Sequence, residues 1–277
     1  MFRHAVVAVG LASALLGGWA FAWEPAALRV VEHEVEVDDW PHACDGLRVA
    51  TLSDLHVGSP FNGLGKLERI VSDTLAAEPD MVLLLGDYVI RGVLGGSYVT
   101  PEAIADELDR LVAPMGVYAV LGNHDWWDDP ERISRALEAS GISTLEDVAV
   151  PRSRGDCKFW LAGVSDLWEA PHDVERALSR VPEGATILAF THNPDIFPEI
   201  PERVALTLAG HTHSGQVALP WLGRPIVPSA HGERFAIGHV REGGRDLFVT
   251  SGLGTNILPV RFRVPPEISL VTIRSQP

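Results

Sequence analysis

Two histidines, His211 and His213, stand two residues apart just after the apolar run 204–209. This run predicts a buried strand, and side chains at positions i and i+2 of a strand point to the same side of the sheet. Neutral imidazoles are good ligands for metal ions of borderline softness. The pair by itself fits a metal site and two surface histidines equally well, so the interpretation depends on the partners that the rest of the chain supplies.

Four further apolar runs also predict buried strands, and each of them ends in a short polar loop. In open α/β sheets, binding groups collect outside the carboxyl ends of the strands. Taken alone, each loop has an ordinary explanation, such as a turn residue or a buried histidine with a hydrogen-bond partner. Five such loops are hard to attribute to chance, and we expect their side chains to form one site. The predicted strands 47–52, 81–85, 117–121, 186–190 and 204–209 are followed by Asp54 and His56, Asp87, Asn123, His192, and His211 and His213.

The seven candidate ligands combine carboxylates, imidazoles and one carboxamide, and they include no thiolate. This mixture suits Mn, Fe, Zn or Co better than Ca²⁺, which prefers oxygen ligands. Seven ligands are too many for one ion, whereas two ions roughly 3.5–4 Å apart and bridged by a carboxylate, which we predict to be Asp87, use them all. A hydroxide that bridges the two ions is then the attacking nucleophile at neutral pH. The remaining ligands divide into Asp54, His56 and His213 for one ion, and Asn123, His192 and His211 for the other.

The two residues that follow Asn123 are candidates for roles in catalysis. His124 comes directly after a predicted ligand, so we expect its side chain to point elsewhere and to protonate a leaving oxygen or hydrogen-bond a phosphoryl group. Asp125 can fix the tautomer of this histidine, as carboxylates near metal sites do. A plain turn residue is the equally good alternative for Asp125.

Helical and strand patterns alternate along the chain, which is typical of an α/β fold. Alternating apolar and polar residues over 28–37 predict an antiparallel strand. Helical spacing and start signals, with Thr100 and Asp129 as N-caps, predict helices over 64–77, 101–112, 130–139 and 174–179. Further strands are predicted over 144–150, 158–164, 234–240, 246–250 and 268–273. The chain has no internal repeat or long linker, so residues 24–277 are predicted to form one catalytic domain.

The first 23 residues predict a membrane-targeting segment, either a cleaved signal or a retained anchor. Residues 5–23 carry no charge, follow Arg3, and come close to the ~20 residues that span a bilayer. An A-x-A pattern at 20–22 is compatible with cleavage by a signal peptidase. Trp19 and Trp23 suit a membrane interface and favour the anchor. With Arg3 on the cytoplasmic side, the catalytic domain lies on the non-cytoplasmic side of the membrane.

Composition limits the classes of function. The chain has 277 residues, 46% of them hydrophobic, which is enough for one large domain or two small ones. Acidic residues outnumber basic ones by 37 to 22, and the formal charge of −15 argues against a nucleic-acid partner. Cys44 and Cys157 match no zinc-binding spacing. They form either one disulfide or two buried thiols, and the strand-like flank of Cys157 favours thiols.

The motifs D-x-H, G-D, G-N-H-D, a single His and G-H-x-H occur in this order between residues 49 and 217. In this order and spacing they resemble the calcineurin-like metallophosphoesterase superfamily. The resemblance implies a four-layer αββα sandwich, in which two mixed β-sheets are flanked by helices, and a phosphoesterase with two divalent metal ions. It also implies the ligand roles given above, and it implies that His124 is an acid or a phosphate contact.

The resemblance bears on the metal as well. The purple acid phosphatases of this superfamily have a tyrosine three residues after the bridging aspartate, and Ile90 stands at that place here. A permanently ferric site is therefore not expected. We expect two divalent ions, Mn²⁺ first and Fe, Zn or Co as alternatives.

A narrower resemblance rests on the apolar N-terminal segment, on residues 210–216 and on the stretches 252–256, 258–262 and 265–268. These features look like the small membrane-associated bacterial phosphodiesterases of the superfamily, some of which hydrolyse the pyrophosphate of UDP-2,3-diacylglucosamine in lipid A synthesis. The likeness implies a phosphodiesterase or pyrophosphatase with a lipid-linked or nucleotide-linked substrate, at the cell membrane or envelope. The alternatives are a phosphomonoesterase of the same fold, another two-metal hydrolase such as an amidase, and a metal-binding scaffold without activity.

Three features bear on specificity. Trp126 and Trp127 follow the G-N-H-D motif and either wall a substrate pocket or pack in the core. The apolar, proline-rich segment 218–228 follows the metal-site histidines. Packing on its own domain is the more common fate of such a segment, and insertion into a bilayer is the alternative. Arg91 and Arg234 are either surface residues or contacts for substrate phosphates.

Overall fold

Short apolar runs separated by turns rich in glycine and proline form the strands of the fold. The computed structural model describes residues 2–276, and twelve strands in this range form two six-stranded sheets. In chain order they are β1 (Arg29–Val37), β2 (Leu47–Leu52), β3 (Met81–Leu84), β4 (Val117–Ala119), β5 (Ser143–Thr144), β6 (Val148–Arg154), β7 (Cys157–Val164), β8 (Ile187–Thr191), β9 (Leu206–Ala209), β10 (Gly238–Glu242), β11 (Arg245–Val249) and β12 (Glu267–Ser275).

Both sheets are mixed, and most of their strand pairs are parallel. The first sheet has the order β1-β12-β2-β3-β4-β5, and the second has the order β10-β11-β9-β8-β7-β6. Strands β2 to β5 are parallel to one another, and so are β7, β8, β9 and β11. The carboxyl ends of β2, β3 and β4 therefore meet at one edge of the first sheet, and those of β7, β8 and β9 meet at one edge of the second.

Helices cover the outer faces of the two sheets. Two of them begin at the predicted N-caps, because Thr100 Oγ1 accepts a hydrogen bond from the Ala103 amide at 3.3 Å and Asp129 Oδ1 accepts one from the Arg132 amide at 3.0 Å. The sequence reasoning did not predict the short helix that follows Gly122. The helices of the two-sheet body are Leu64–Ala76, Pro101–Leu108, Asn123–Asp128, Pro130–Ala139 and Val174–Leu178, with a 3₁₀-helix at Pro194–Glu199.

Three apolar clusters separate the layers. One lies between the two sheets and includes Val49 and Phe190. Another packs the helices onto the first sheet through residues such as Leu67 and Ile104, and the third covers the outer face of the second sheet around Phe197. The structure is a four-layer αββα sandwich, which confirms the fold that the family resemblance implied.

Three predictions about strands are wrong. The strand predicted over 234–240 begins only at Gly238, as β10, because Gly232–Phe235 form a 3₁₀-helix. Strand β1 pairs in parallel with β12, with Arg29 opposite Glu267, rather than antiparallel. Its sequence alternates because it is an edge strand with one half-exposed face, and alternation carries no information about direction. The segment predicted as one strand over 144–150 divides into β5 in the first sheet and β6 in the second. Asp147 between them has a left-handed φ of 53°, which turns the chain.

The prediction that favoured two thiols is also wrong, because Cys44 and Cys157 form a disulfide. Their Cα atoms are 4.6 Å apart. Cys157 is the first residue of β7, and the 3₁₀ turn His42–Cys44 packs against this strand. A position in a strand is compatible with a disulfide whenever a second segment brings a cysteine to the same buried face.

Removing this disulfide is expected to lower the free energy of unfolding by about 2–4 kcal/mol, because the bond closes a long loop in the unfolded chain. The two cysteines are 113 residues apart in sequence. Urea unfolding of the Cys44→Ser, Cys157→Ser double variant measures the loss. A reductant should destabilise the wild-type chain and leave the double variant unchanged, and an equal effect on both would contradict the prediction.

The N-terminal helix stands apart from the layers. It runs over Phe2–Gly18 and continues through a π-helical turn, Trp19–Trp23, into the short helix Glu24–Ala26. The span Phe2–Ala26 is long and apolar enough to cross a membrane, with a mean hydropathy of 1.9 over its 18-residue window. Only 6% of that window is buried, so most of the helix exposes apolar side chains.

Candidate metal centre

The loops after β2, β3, β4, β8 and β9 bring all seven predicted ligands together. None of these side chains is more than 5% exposed. Ligand atoms of Asp54, His56 and His213 lie within 4.8 Å of one another, and so do those of Asp54, Asp87 and His192. The two sheets pack face to face with these strand ends on the same side, and their loops therefore build one buried cluster from residues that are up to 159 positions apart (54 to 213).

Asp87 stands between the two predicted ligand groups. Its Oδ2 atom is 3.4 Å from Nε2 of His56 and also 3.4 Å from Nε2 of His192. Its other oxygen, Oδ1, accepts a hydrogen bond from the His124 amide at 2.8 Å. One oxygen is thus fixed by the backbone, and the other faces both groups, which is the arrangement that a bridging carboxylate needs.

Distances within each group match the spacing of atoms around a metal ion. In the first group, His213 Nε2 lies 3.2 Å from His56 Nε2 and 3.4 Å from Asp54 Oδ1. In the second, His192 Nε2 lies 3.2 Å from Asn123 Oδ1 and 3.1 Å from His211 Nδ1. Ligand atoms bonded to one ion at ~2.1 Å are about 3.0–3.4 Å apart in octahedral or tetrahedral geometry.

The donor atoms need a cation. Burial lowers the pKa of the His56 and His211 imidazoles to about 3, so both are neutral ligands. Burial also opposes a charge on His192, but the negative charges of Asp87 and Asp54 outweigh it and raise the pKa of this imidazole to about 10. Asp54 Oδ1 is buried without a hydrogen-bond partner among residues 2–276. The carboxylates thus hold a proton on His192, and a divalent ion would take the place of that proton, so the residues fit divalent metal ions.

Five of the seven predicted ligands have a left-handed backbone conformation. Such values are uncommon for residues other than glycine, and they cluster at functional sites where the surrounding structure enforces them. Here the left-handed residues all lie in the loops that follow β2, β3 and β9. The φ angles are 54° for Asp54, 38° for His56, 59° for Asp87, 66° for His211 and 48° for His213.

Neighbouring groups fix the orientation of three of the imidazoles. His56 Nδ1 lies 3.3 Å from the Val89 carbonyl oxygen, and His192 Nδ1 lies 2.7 Å from that of Leu85. An N–H group at Nδ1 that donates to these oxygens leaves Nε2 free to bind a metal. His213 Nδ1 instead lies 3.5 Å from Nη2 of Arg261.

Sequence reasoning missed Arg261 as a residue of this site. Its guanidinium is completely buried and donates hydrogen bonds to carbonyl oxygens of Ser251, Gly254 and Val264. The stretch 258–262 contributed to the narrower family resemblance, but it gave Arg261 no role of its own. An arginine in an apolar, proline-containing run was the available signal, since arginine is seldom buried without partners.

A sixth strand-end loop, after β7, was also missed. The Trp168 ring lies 4.3 Å from the His211 ring, edge to face. Asp166 Oδ2 accepts hydrogen bonds from the amides of Trp168 and Glu169 at 2.9 and 3.0 Å. Burial raises the pKa of the Asp166 carboxyl. The strand before this loop was predicted, so the same strand-end rule would have identified Asp166.

His124 lies beside the cluster. Its ring is 4.6 Å from the His56 ring and 4.7 Å from the Trp127 ring. Neither ring nitrogen has a hydrogen-bond partner within residues 2–276, although the side chain is 2% exposed. Burial lowers the pKa of this imidazole, and the charges of His192 and Arg91 lower it further. These nitrogens are available to a substrate.

The predicted role of Asp125 is wrong. Its carboxylate does not contact the His124 ring but accepts hydrogen bonds from the amides of Asp87 at 2.7 Å, Tyr88 at 2.9 Å and Gly122 at 2.9 Å. A carboxylate at the start of a helix is well placed to accept several amides at once. Asp125 therefore ties the loop after β3 to the loop after β4 and holds the backbone of Asp87.

Gly122 allows these two loops to approach. A Cβ atom at this position would overlap Asp87 Oδ1 and lie 2.6 Å from the Asp87 amide nitrogen. Gly122→Ala is expected to displace Asp87, to reduce bound metal, and to destabilise the fold by about 1–3 kcal/mol through overpacking. Thermal unfolding and metal analysis measure both effects. Gly63→Ala, where a Cβ meets open space, is the matched control, and equal behaviour of the two variants would contradict the assignment.

The other predicted specificity residues differ in their positions. Trp127 is exposed beside His124, whereas Trp126 is partly buried against the core of the first sheet. Arg91 is near enough to His124 to lower the pKa of its imidazole, and it donates a hydrogen bond to Asp128 at 3.4 Å. Arg234 forms a surface ion pair with Glu242 on β10, so its guanidinium is already occupied by that carboxylate. Trp127 and Arg91 remain candidates for substrate contact.

Comparisons with known proteins agree with this geometry. Residues 47–215 match the family model of the calcineurin-like phosphoesterases. The chain is 30% identical over 264 residues to the metallophosphoesterase YkuE of Bacillus subtilis, with 94% of this chain and 91% of that protein covered. It is 28% identical to the phosphodiesterase YaeI of Escherichia coli, with 92% of each covered. It is 26% identical to the UDP-2,3-diacylglucosamine pyrophosphatase LpxG of Chlamydia trachomatis, with 94% and 93% covered.

Proposed function

Because the chain belongs to the calcineurin-like phosphoesterase family, we propose that it is a two-metal hydrolase of phosphodiester or pyrophosphate bonds. The observation that carries this proposal is the position of Asp87 Oδ2, 3.4 Å from one nitrogen of each ligand group. When bound, two divalent ions, Mn²⁺ first and Fe, Zn or Co as alternatives, supply Lewis acidity and activate water at neutral pH.

The protein's own residues hold and orient the reacting groups. Phosphoryl transfer depends on positioning and on neutralising charge more than on covalent chemistry. His124, with both ring nitrogens free, donates a proton to the leaving oxygen or a hydrogen bond to the phosphoryl group. Arg91 adds positive charge beside it, and Asp125 keeps the bridging carboxylate in place. The proposed ligands are Asp54, His56, Asp87 and His213 for one ion, and Asp87, Asn123, His192 and His211 for the other.

A lipid-linked or nucleotide-linked phosphoester is the proposed substrate class. Support comes from two relatives that resemble the chain over nearly its whole length, one named as a phosphodiesterase and one as a UDP-2,3-diacylglucosamine pyrophosphatase. The exposed Trp127 beside His124 offers an aromatic face to a base or an acyl chain. UDP-2,3-diacylglucosamine combines both features, and it is the first compound to test with the purified protein. A catalytic domain on the non-cytoplasmic side would not meet this cytoplasmic nucleotide-lipid, so a topology reporter fused to Pro277 constrains the natural substrate.

The proposed placement is at the cell membrane, with residues 1–23 as a retained anchor and residues 24–277 as the catalytic domain on the non-cytoplasmic side. The exposed apolar helix over Phe2–Ala26 supports the anchor. The disulfide between Cys44 and Cys157 supports the non-cytoplasmic side, since such bonds persist in oxidising compartments.

Hydrolysis by the full chain, purified in detergent with Mn²⁺, tests the proposal. We expect cleavage of a chromogenic aryl phosphodiester and loss of that activity in a chelator, with recovery on adding Mn²⁺. Incubation with nucleotide-linked and lipid-linked pyrophosphates, followed by mass spectrometry of the products, then identifies the bond that is cut.

The same panel separates the alternatives. Cleavage of an aryl phosphomonoester but not of the diester or a pyrophosphate would indicate a phosphomonoesterase. Cleavage of an anilide alone would indicate an amidase. A chain that keeps its metal and cleaves none of these compounds would be a metal-binding scaffold, and the proposal would be wrong.

A further inference from the structure

Six large apolar side chains form an exposed surface close to the metal centre, which we call the apolar rim. Two of them, Trp221 and Leu222, stand at the tip of a tight turn that is closed by backbone hydrogen bonds between Leu219 and Gly223 at 2.8 and 3.1 Å. Trp221 is fully exposed, and Leu222 is 74% exposed. The rim comprises Leu94, Trp221, Leu222, Ile226, Ile257 and Leu258. The expectation that segment 218–228 packs on its own domain is therefore wrong for its apolar tip.

Hydrogen bonds join the parts of the rim into one surface. The Leu94 amide donates to the Ile257 carbonyl oxygen at 2.9 Å. Gln216 lies between the two loops, since its Nε2 donates to the Asn256 carbonyl oxygen at 3.2 Å and its Oε1 accepts from the Asn256 amide at 2.6 Å. Large contiguous apolar patches are rare on soluble proteins and mark interaction sites.

The segment 256–264, which we call the strap, connects the rim to the N-terminal helix. The Phe262 amide donates to the Gln216 carbonyl oxygen at 2.9 Å, and the Phe262 carbonyl oxygen accepts from the Ala218 amide at 2.9 Å. The amide of the preceding residue, Arg261, donates to the Ala20 carbonyl oxygen of the helix at 2.9 Å. Phe262 thus holds Gln216 and Ala218, which form the base of the rim, and the neighbouring Arg261 holds the end of the helix.

The end of the helix is built into the catalytic body rather than loosely attached. Glu24 is 4% exposed, and its carboxylate accepts hydrogen bonds from the Val264 amide of the strap and from Trp19 Nε1. The Pro25 carbonyl oxygen accepts a hydrogen bond from Lys66 Nζ at 2.8 Å. These contacts fix the point at which the helix leaves the catalytic domain. They therefore also fix which part of the domain faces a bilayer that surrounds the helix.

We propose that the apolar rim is a second membrane contact, which docks onto the surface of the bilayer that the N-terminal helix enters. The helix exposes apolar side chains along most of its length, and these side chains need an apolar environment such as the interior of a bilayer. Adjacent residues of the strap, Arg261 and Phe262, hold the helix and the base of the rim, so we expect the rim to meet the same bilayer as the helix. A tryptophan at the tip suits the headgroup region, because its ring is amphipathic.

The proposed contact also positions the metal centre. Gln216, at the base of the rim, follows His213 by three residues, and Arg261 of the strap lies 3.5 Å from the ring of His213. Docking of the rim therefore holds one side of the metal centre next to the membrane surface. Neither the docking nor its test depends on the proposed hydrolysis, so the two proposals fail separately.

Spin labels on the full chain test the docking. The only two cysteines of the sequence form the disulfide, so Trp221→Cys, Leu222→Cys and Val112→Cys each provide a single site for a nitroxide. Val112 is an equally suitable exposed apolar residue, 69% exposed, but it precedes β4 and lies at the edge opposite the metal centre. Each protein is placed singly into nanodiscs of phosphatidylcholine and phosphatidylglycerol.

Collision rates with oxygen, which enters bilayers, and with a water-soluble nickel chelate then report depth. We expect the ratio of oxygen to nickel collisions at 221 and 222 to exceed that at 112 several-fold. Equal ratios at all three sites would overturn the proposal. Low collision rates with both probes at 221 and 222, together with dipolar broadening between labels in discs that hold two chains, would show that a second copy covers the rim and would also overturn it.

Discussion

Replacing Asp87 by Asn is expected to abolish hydrolysis and to reduce the bound metal to at most one ion per chain. Asp87 Oδ2 faces Nε2 of both His56 and His192 at 3.4 Å, and the substitution removes the negative charge shared by the two groups. Loss of a metal as Lewis acid removes several kcal/mol of transition-state stabilisation. This corresponds to a rate lower by roughly 10³-fold or more.

Elemental analysis of the purified variant and its rate on an aryl phosphodiester measure the two effects. Asp73→Asn is a suitable control, because Asp73 lies on the helix Leu64–Ala76 and makes only a surface ion pair with Arg69 at 3.4 Å. The control should keep full metal content and rate. An Asp87→Asn variant with two ions and a near-normal rate would show that Asp87 does not bridge the groups.

His124→Ala is expected to keep both metal ions and to lower the rate by about 10²–10⁴-fold, the usual contribution of a general acid. The ring nitrogens of His124 have no protein partner within residues 2–276, and its backbone amide, which the substitution retains, holds Asp87 Oδ1. The variant therefore removes a proton donor while the bridge keeps its support.

The leaving group distinguishes an acid from a residue that only shapes the site. Esters of alcohols, which are poor leaving groups, should lose much more rate than nitrophenyl esters, which leave without a proton. Trp127→Ala serves as the comparison, since it removes the ring 4.7 Å from His124 and supplies no proton. Equal losses for good and poor leaving groups in His124→Ala, or loss of metal from this variant, would contradict the acid role.

The convergence of the seven predicted ligands could be predicted because it follows a local rule. Strand-ending loops are visible in the sequence as a change from apolar to polar residues, and parallel strands bring their carboxyl ends to one edge. Asp54, Asp87 and His192 each come within three residues of a strand end. Strand patterns alone did not specify two sheets. The family resemblance supplied the two mixed sheets, and the structure gives six strands in each.

Roles that depend on a distant partner could not be predicted. Whether cysteines pair depends on packing across 113 residues, and the orientation of His213 depends on Arg261, 48 residues away. The carboxylate of Asp125 was free to accept either an imidazole or backbone amides, and only the approach of the loop after β3 decides between them. The periodicity of hydrophobic residues indicates burial and local conformation. It does not indicate which distant residue a given side chain will contact in the fold.

Five of the predicted ligands have left-handed backbone conformations, and the donor atoms of the cluster repel one another when no cation lies between them. Both features link the lifetime of the protein to metal supply. Without ions, the folded chain is destabilised by five unfavourable φ angles and by repulsion between the donor atoms of the cluster. The unfolded chain has neither of these free-energy penalties. Each tenfold rise in free metal above the dissociation constant then adds about 1.4 kcal/mol of stability per ion. Stability differences of this size change protein abundance through proteolysis. Metal scarcity would therefore remove the enzyme as well as inactivate it.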